Sequence, residues 1–166
     1  MLLLIFSSCG TKINYSMTGV SVDAQSISIT EFYNNADLGP ANMGQTFTNE
    51  LKNYFIQNSS IPVVAEEGEL QLEGEIVDLR LTPVAPVNSG AGDNTIATAT
   101  STRMTITVRA TFVNTKDESM SFKNKTFSFF KDFPSESNLT DVEEQYTREI
   151  FTRIINDIFN ASIANW

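Results

Sequence analysis

The chain has 166 residues, a hydrophobic content of 41% and a formal net charge of −9, which together indicate one acidic globular domain with a single core. With only 11 lysines and arginines it is a poor candidate for binding nucleic acid, which requires clustered basic residues. The absence of histidine and the presence of one cysteine exclude imidazole catalysis, histidine zinc sites, internal disulfides and cysteine metal clusters.

The first ten residues have the pattern of an export signal that ends at a lipid-attachment site. The apolar run from Leu2 to Phe6 is much shorter than the roughly 20 residues that cross a bilayer. Two serines and the single cysteine of the chain, Cys9, follow this run. This order resembles a bacterial lipobox, in which an export signal is cleaved before the cysteine and the thiol receives a diacylglycerol. No basic residue directly follows Met1, so we expect the start of the signal to be either truncated or misassigned.

These features divide the chain into three predicted parts. Residues 1–8 are a lipoprotein signal peptide, residues 9–25 are a lipidated tether, and residues 26–166 form a single domain. The alternative for the N-terminus is an apolar end with a buried thiol. Lipidation of Cys9 is the favoured interpretation, because packing does not readily explain a lone cysteine after such a run.

The domain begins with a predicted strand and a predicted helix. Alternating apolar residues over 26–32 indicate a strand that buries Ile27 and Ile29 on one face. A polar loop follows, and Pro40 suits the first turn of a helix because its missing N–H would have no partner there. The apolar stripe of this helix, about four turns long, recurs every three or four residues. Its members are Met43, Phe47, Leu51, Tyr54 and Phe55.

A second predicted strand covers residues 69–84, and its apolar residues change sides near Ile76 and Val77. A β-bulge at this point would explain the change, as would a strand that leaves the sheet. The segment from Val84 to Asn94 is rich in Pro, Gly, Ala, Ser and Asn, which predicts an exposed loop. We regard this loop as a candidate binding loop, and a mobile hairpin tip is the equally plausible alternative. Its candidate residues are Val84, Pro86, Asn88, Gly90 and Asn94.

The strongest strand pattern lies between Arg103 and Phe112, where apolar and polar residues alternate without a break. Arg103 and Arg109 fall on its polar side, and Arg80 is expected to line up with them on a neighbouring strand. These three arginines form a candidate contact strip for a partner or a glycolipid phosphate. Cross-strand contacts and solubility are the simpler interpretation of the same pattern.

The final elements complete an α+β pattern. Residues 120–130 predict a fourth strand, Asp132 to Ser135 a strand break, and Thr140 to Glu143 a capping box that begins a long amphipathic helix. The predicted order is β-α-β-β-β-α. The simplest architecture is a two-layer sandwich, with a sheet of about four strands and both helices packed on one face.

No pattern for chemistry is present in the sequence. Phosphate loops, dinucleotide-binding glycine motifs and nucleophile elbows are missing. Carboxylates cluster at 66–69 and at Glu143 and Glu144, where a solvated or helix-capping role is the simplest interpretation. We therefore predict no catalytic residues, no metal site and no cofactor, and a function in binding.

Several short motifs, in a fixed order along the chain, resemble one known family. They are Cys9–Gly10, Tyr15–Gly19, Gln45–Leu51, Leu72–Asp78, Met104–Arg109, Asp132–Ser135 and Ser162–Trp166. Together they resemble the LptE family of lipopolysaccharide-assembly lipoproteins, in its Bacteroidetes form. The resemblance extends over nearly the whole chain that follows the predicted signal.

The resemblance implies an outer-membrane lipoprotein with two helices on a four-stranded sheet. It also implies a function: LptE plugs the β-barrel of LptD, supports the assembly of that barrel and helps deliver lipopolysaccharide to the outer leaflet. The expected partners are therefore an LptD-like barrel, possible lipopolysaccharide and, through the lipid anchor, the membrane. Only the lipidated cysteine carries over residue by residue, to Cys9. Basic residues of proteobacterial members have no aligned motif here, so Arg80, Arg103 and Arg109 are chosen by position alone.

Two other functions remain as alternatives. The first is a lipoprotein of the same α+β shape that binds another envelope complex, such as a secretin or a peptidoglycan-linked assembly. The second is an enzyme, which a hydrolase screen would support only if substitution of a single Asp or Glu abolished turnover. A net charge of −9 also opposes simple electrostatic attraction to an anionic glycolipid, so divalent ions or local patches would have to compensate.

Overall fold

The computed structural model of the chain describes residues 24–84 and 101–163. Within these ranges six strands form one mixed sheet, accompanied by two helices. The strands are β1 (Ile27–Ile29), β2 (Tyr33–Asn34), β3 (Val63–Val64), β4 (Leu70–Val84), β5 (Ser101–Asn114) and β6 (Phe122–Pro134). The helices are α1 (Met43–Asn58) and α2 (Leu139–Ser162). A short 3-10 turn, Glu118–Met120, lies between β5 and β6.

The strand order is β3-β1-β4-β5-β6, and β2 pairs with β4 beyond β1. β1 is parallel to both β3 and β4, β2 is parallel to β4, and the three long strands β4, β5 and β6 are antiparallel to one another. The α+β class and the two-layer arrangement agree with the prediction. The strand number was wrong: the sheet has six strands rather than about four, because two-residue strands such as β2 and β3 are too short to show any alternation.

The first predicted strand, over residues 26–32, is shorter in the structure, where β1 ends at Ile29 and β2 begins only at Tyr33. The backbone N–H of Phe32 donates to Thr48 Oγ1 of α1 at 2.9 Å, so at this residue the chain bonds a helix rather than its neighbouring strand. Phe32 and Thr48 are both buried, with 1% and 3% of their surfaces exposed. Alternation in the sequence carries no sign of this contact, because the partner lies 16 residues away.

Of the two alternatives left open for β4, the structure shows the β-bulge. Ile76 pairs with Val108, whereas Asp78 pairs with the next residue of β5, Thr107, so Val77 is the additional residue. Leu79, beyond the bulge, is buried and lies on the same side of the sheet as Ile76. The bulge therefore returns the apolar residues of β4 to the core.

Both helices pack against the same face of the sheet and enclose one hydrophobic core. The ring of Phe47 in α1 lies 5.1 Å from that of Phe32 and 4.9 Å from that of Phe151 in α2. α2 also extends along this face to the last strand of the sheet, where Tyr146 stacks on Phe133 of β6 at 5.5 Å. Neither of the described helices combines the length and the apolar character that crossing a bilayer requires.

Candidate functional site: the helix-free face of the sheet

Neither of the two described helices covers the opposite face of the three long strands, and we call it the helix-free face. It exists because alternate residues of β5 point away from the core, and their partners on β4 and β6 do the same. Its charged and aromatic members are Glu73, Glu75, Asp78, Arg80, Arg103, Arg109, Phe130 and Asp132. Threonines and a serine fill the positions between them.

The register places the three predicted arginines on this one face. Arg80 lies opposite Thr105, and Thr105 shares its side of β5 with Arg103 and Arg109. The expected alignment of Arg80 with the two arginines of β5 is therefore confirmed. Whether these residues contact a glycolipid or a partner stays a prediction.

Each of the three arginines is held by a carboxylate. Arg103 donates from Nε to Asp132 Oδ1 at 2.7 Å and from Nη2 to Asp132 Oδ2 at 2.9 Å, which is a bidentate pair across two strands. Arg109 donates to Glu75 Oε1 at 3.0 Å, and Arg80 donates to Asp78 Oδ2 at 2.9 Å. The helix-free face is thus a strip of alternating charge, not a row of free cations.

The strongest of these pairs lies at the end of β5 that is close to the predicted loop. The hydrogen bond from Arg103 holds the pKa of Asp132 below its usual value, and the same bond raises the pKa of Arg103. The guanidinium carbon of Arg103 also lies 3.8 Å above the centre of the Phe130 ring. Asp132 and Phe130 therefore fix the orientation of Arg103 from two directions.

Two exposed aromatic rings on or beside this face were missed in the sequence. Tyr33 is 69% exposed and borders a shallow depression of about 310 Å³ with Glu73, Arg109 and Asn124. Phe130 is 44% exposed. A signal for Phe130 was available, because adjacent phenylalanines on a strand, here Phe129 and Phe130, must point to opposite faces.

The predicted loop and the predicted lipid site fall mostly outside the described residues. Val84 is the last residue of β4 and pairs with Ser101, so the chain leaves and re-enters the sheet at the same end, two residues from Arg103. The other candidate loop residues, Pro86, Asn88, Gly90 and Asn94, and the lipid site Cys9 are not described.

A second cavity lies between the two helices, on the other side of the molecule. It has a volume of about 400 Å³, and its lining includes Met43, Glu50, Glu143, Arg148 and Phe151. Burial raises the pKa of Glu50, and the positive charge of Arg148 partly opposes this effect. Arg148 is itself paired with Glu144 at 2.6 Å. The cavity is acidic and open. Of the two carboxylates in its lining for which the sequence predicted a solvated or helix-capping role, Glu144 is exposed and Glu143 is partly exposed.

Comparison with known proteins identifies the family. The family model described as LptE, lipopolysaccharide-assembly, matches residues 24–162. The chain belongs to the LptE family. The match spans every described strand and helix, from three residues before β1 to the last residue of α2. A search of curated proteins found no match.

Solved structures share the fold of this LptE-family chain. Lipoprotein B from Nitrosomonas europaea is 12% identical, with a TM-score of 0.57, over 90% of this chain and 87% of its own. A protein from Xanthomonas campestris is also 12% identical, with a TM-score of 0.54, over 93% of this chain and 92% of its own. A protein from Chlamydia trachomatis is 11% identical, with a TM-score of 0.50, over 86% of this chain and 99% of its own. At such low identity these likenesses establish the fold and no more.

Proposed function

We propose that the protein is a lipid-anchored outer-membrane component of lipopolysaccharide assembly, which binds an LptD-type β-barrel, supports its assembly and assists delivery of the glycolipid to the outer leaflet. The observation that carries this proposal is the LptE family match over residues 24–162. The protein acts by binding and needs no catalytic residue for this function. The sequence of residues 1–9 supports the lipid anchor on Cys9.

The number of residues between Cys9 and the described domain limits how far the domain can lie from a lipid on Cys9. Fifteen residue steps separate Cys9 from Ala24, the first described residue (24 − 9 = 15). At about 3.3–3.6 Å per residue, these steps can span at most about 50 Å. That distance exceeds the thickness of a bilayer core, about 30 Å, so the domain can sit well away from the acyl chains while it remains attached.

We further propose that the helix-free face, with the adjoining loop at 84–94, is the contact surface for the barrel or for lipopolysaccharide. The paired arginines of this face support a contact made of many polar hydrogen bonds, because each cation is already neutralised by its own carboxylate. A lipid phosphate would have to exchange with a carboxylate or bind through a divalent ion. The net charge of −9 does not attract an anionic lipid to the chain as a whole.

Site-specific photo-crosslinking tests this surface. A photoreactive residue at Thr105, in the middle of the helix-free face, should crosslink to a large barrel protein or to lipopolysaccharide in intact cells. The matched control is Thr152, an exposed threonine on the outer side of α2. Crosslinks from Thr152 and none from Thr105 would move the contact to the helix layer. Mass spectrometry of the product distinguishes an LptD-type barrel from a secretin or a peptidoglycan-linked complex.

A further inference from the structure

The outer edge of β6 is unpaired within the described residues. β6 forms the end of the sheet, and it pairs with β5 along one edge only. In an antiparallel sheet, alternate N–H and C=O groups of such a strand point away from the sheet and remain available to another chain. An edge of this kind is the feature that strand-addition complexes use.

The edge is long and regular enough to serve as a template. Residues 125–134 pair with residues 110–101 of β5 in unbroken register. The register shift of β6 is confined to its start, where Asn124 adopts a positive φ of 51°. A regular strand of ten residues extends about 33 Å.

The strand is basic, although the chain is acidic. β6 contains Lys123, Lys125 and Lys131 against a single carboxylate, Asp132, which gives +2 (3 − 1) in a chain of net charge −9. Lys131 is paired with Glu149 of α2 at 2.6 Å, and Asp132 is paired with Arg103. Lys123 and Lys125 are exposed and make no ion pair with any residue that the structure describes.

The position of Lys125 is partly fixed, which favours it as a recognition residue. Its ammonium group lies 5.3 Å from the ring of Phe122 and 5.5 Å from that of Phe127. These rings hold the charge beside the edge without neutralising it. A carboxylate on an added strand would therefore meet a free cation.

We propose that the outer edge of β6 accepts an extended acidic segment of a partner protein as an additional strand. Main-chain hydrogen bonds supply the binding, and Lys123 and Lys125 select acidic side chains. A second copy of this chain is a poor occupant, because pairing β6 with itself would bring lysine strands together. Strand addition at β6 is compatible with membership of any envelope complex.

The test uses the full-length protein in mild detergent and two ten-residue peptides. One peptide alternates threonine with glutamate, and the other alternates threonine with lysine. By NMR, the acidic peptide should protect β6 amides from hydrogen exchange, and the basic peptide should not. Lys125→Glu and Lys123→Glu should each weaken binding of the acidic peptide at least threefold.

The matched control is Lys52→Glu on α1, which changes the net charge equally and should leave this binding unchanged. Unprotected β6 amides with the acidic peptide, or an equal loss of affinity in Lys52→Glu, would overturn the proposal. Protection of the same amides by self-association at high protein concentration would overturn it in favour of a second copy. Thermal melts of the three variants confirm that each is folded.

Discussion

At the scale of single residues, the ion pairs of the helix-free face determine how readily each arginine can exchange its carboxylate for an anionic ligand. Arg103 is held by both oxygens of Asp132 and by the Phe130 ring, so it is the least available of the three arginines. Arg80 pairs through one nitrogen with Asp78 on its own strand, at an exposed position. We therefore expect Arg80 to exchange partners more readily than Arg103.

Gly74 supplies the first prediction. A Cβ at this position would overlap the backbone oxygen of Arg109 and the ring of Phe32, which packs over the strand. Gly74→Ala should therefore destabilise the fold by about 2 kcal/mol, the usual cost of overpacking a core. Chemical denaturation measures the change, with Glu73→Ala, an exposed neighbour, as the control. Equal stability of Gly74→Ala and the unchanged protein would contradict the packing of Phe32.

Glu50 supplies a prediction about pH. Because burial raises the pKa of Glu50 above its ordinary value, the ionised carboxylate is less favourable in the folded protein. Its contribution to stability is present below the unfolded pKa and is lost as the pH rises through the raised folded pKa. Glu50→Gln should therefore raise the melting temperature at pH 7 more than at pH 4.

Thermal melts of Glu50→Gln at the two pH values check this. Glu66→Gln, at an exposed position outside the helices, controls for the loss of one negative charge from the acidic chain. A larger gain for Glu50→Gln at pH 4 than at pH 7 would show that Arg148 outweighs burial.

At the scale of elements, long strands and helices were predictable from their apolar periodicity, and strands of two residues were not. The bulge in β4 was predictable because the apolar residues on both sides of Ile76 and Val77 reveal a change of face. β2 and β3, with two residues each, give no periodic signal. β6 extends through Pro134, beyond the strand break predicted at Asp132, because Asp132 pairs with Arg103 and Phe133 enters the core. A proline is tolerated there since β6 is an edge strand.

The contact between α1 and the β1–β2 segment supplies a prediction at this scale. Thr48→Val removes the acceptor of the buried Phe32 N–H and leaves it without a partner. The expected loss of stability is about 2 kcal/mol, the cost of an unsatisfied buried donor. Thr152→Val is the matched control, because Thr48 and Thr152 both donate to the carbonyl four residues earlier, but Thr152 is exposed. Similar losses in the two variants would show that the Phe32 contact contributes nothing.

At the scale of the whole molecule, the candidate site was only partly readable from the sequence. The strand pattern placed Arg103 and Arg109 on one face, but their partners were not predictable, because Glu75 and Asp132 are 34 and 29 residues away along the chain. Pairing of this kind depends on strand order and register, which a pattern within one strand does not contain.

The proposed lipid anchor on Cys9 leads to a prediction for the intact protein. Cys9→Ser should abolish incorporation of labelled palmitate, because it removes the thiol that would carry the lipid. It should also release the protein from membranes into the soluble envelope fraction, because stable anchoring requires more than one acyl chain. Cys9 is the only cysteine, so no second thiol can substitute for it. Palmitate labelling that survives Cys9→Ser would show that the lipid is attached at a residue other than Cys9.

We propose that this LptE-family protein works as a stable subunit of an outer-membrane barrel complex. The most direct measurement is affinity purification of the intact protein from membranes in mild detergent, followed by mass spectrometry and determination of the molar ratio. We predict recovery of one large LptD-type β-barrel protein in about equal amount. Recovery of the protein as a free monomer, with no barrel under the same mild conditions, would contradict the claim.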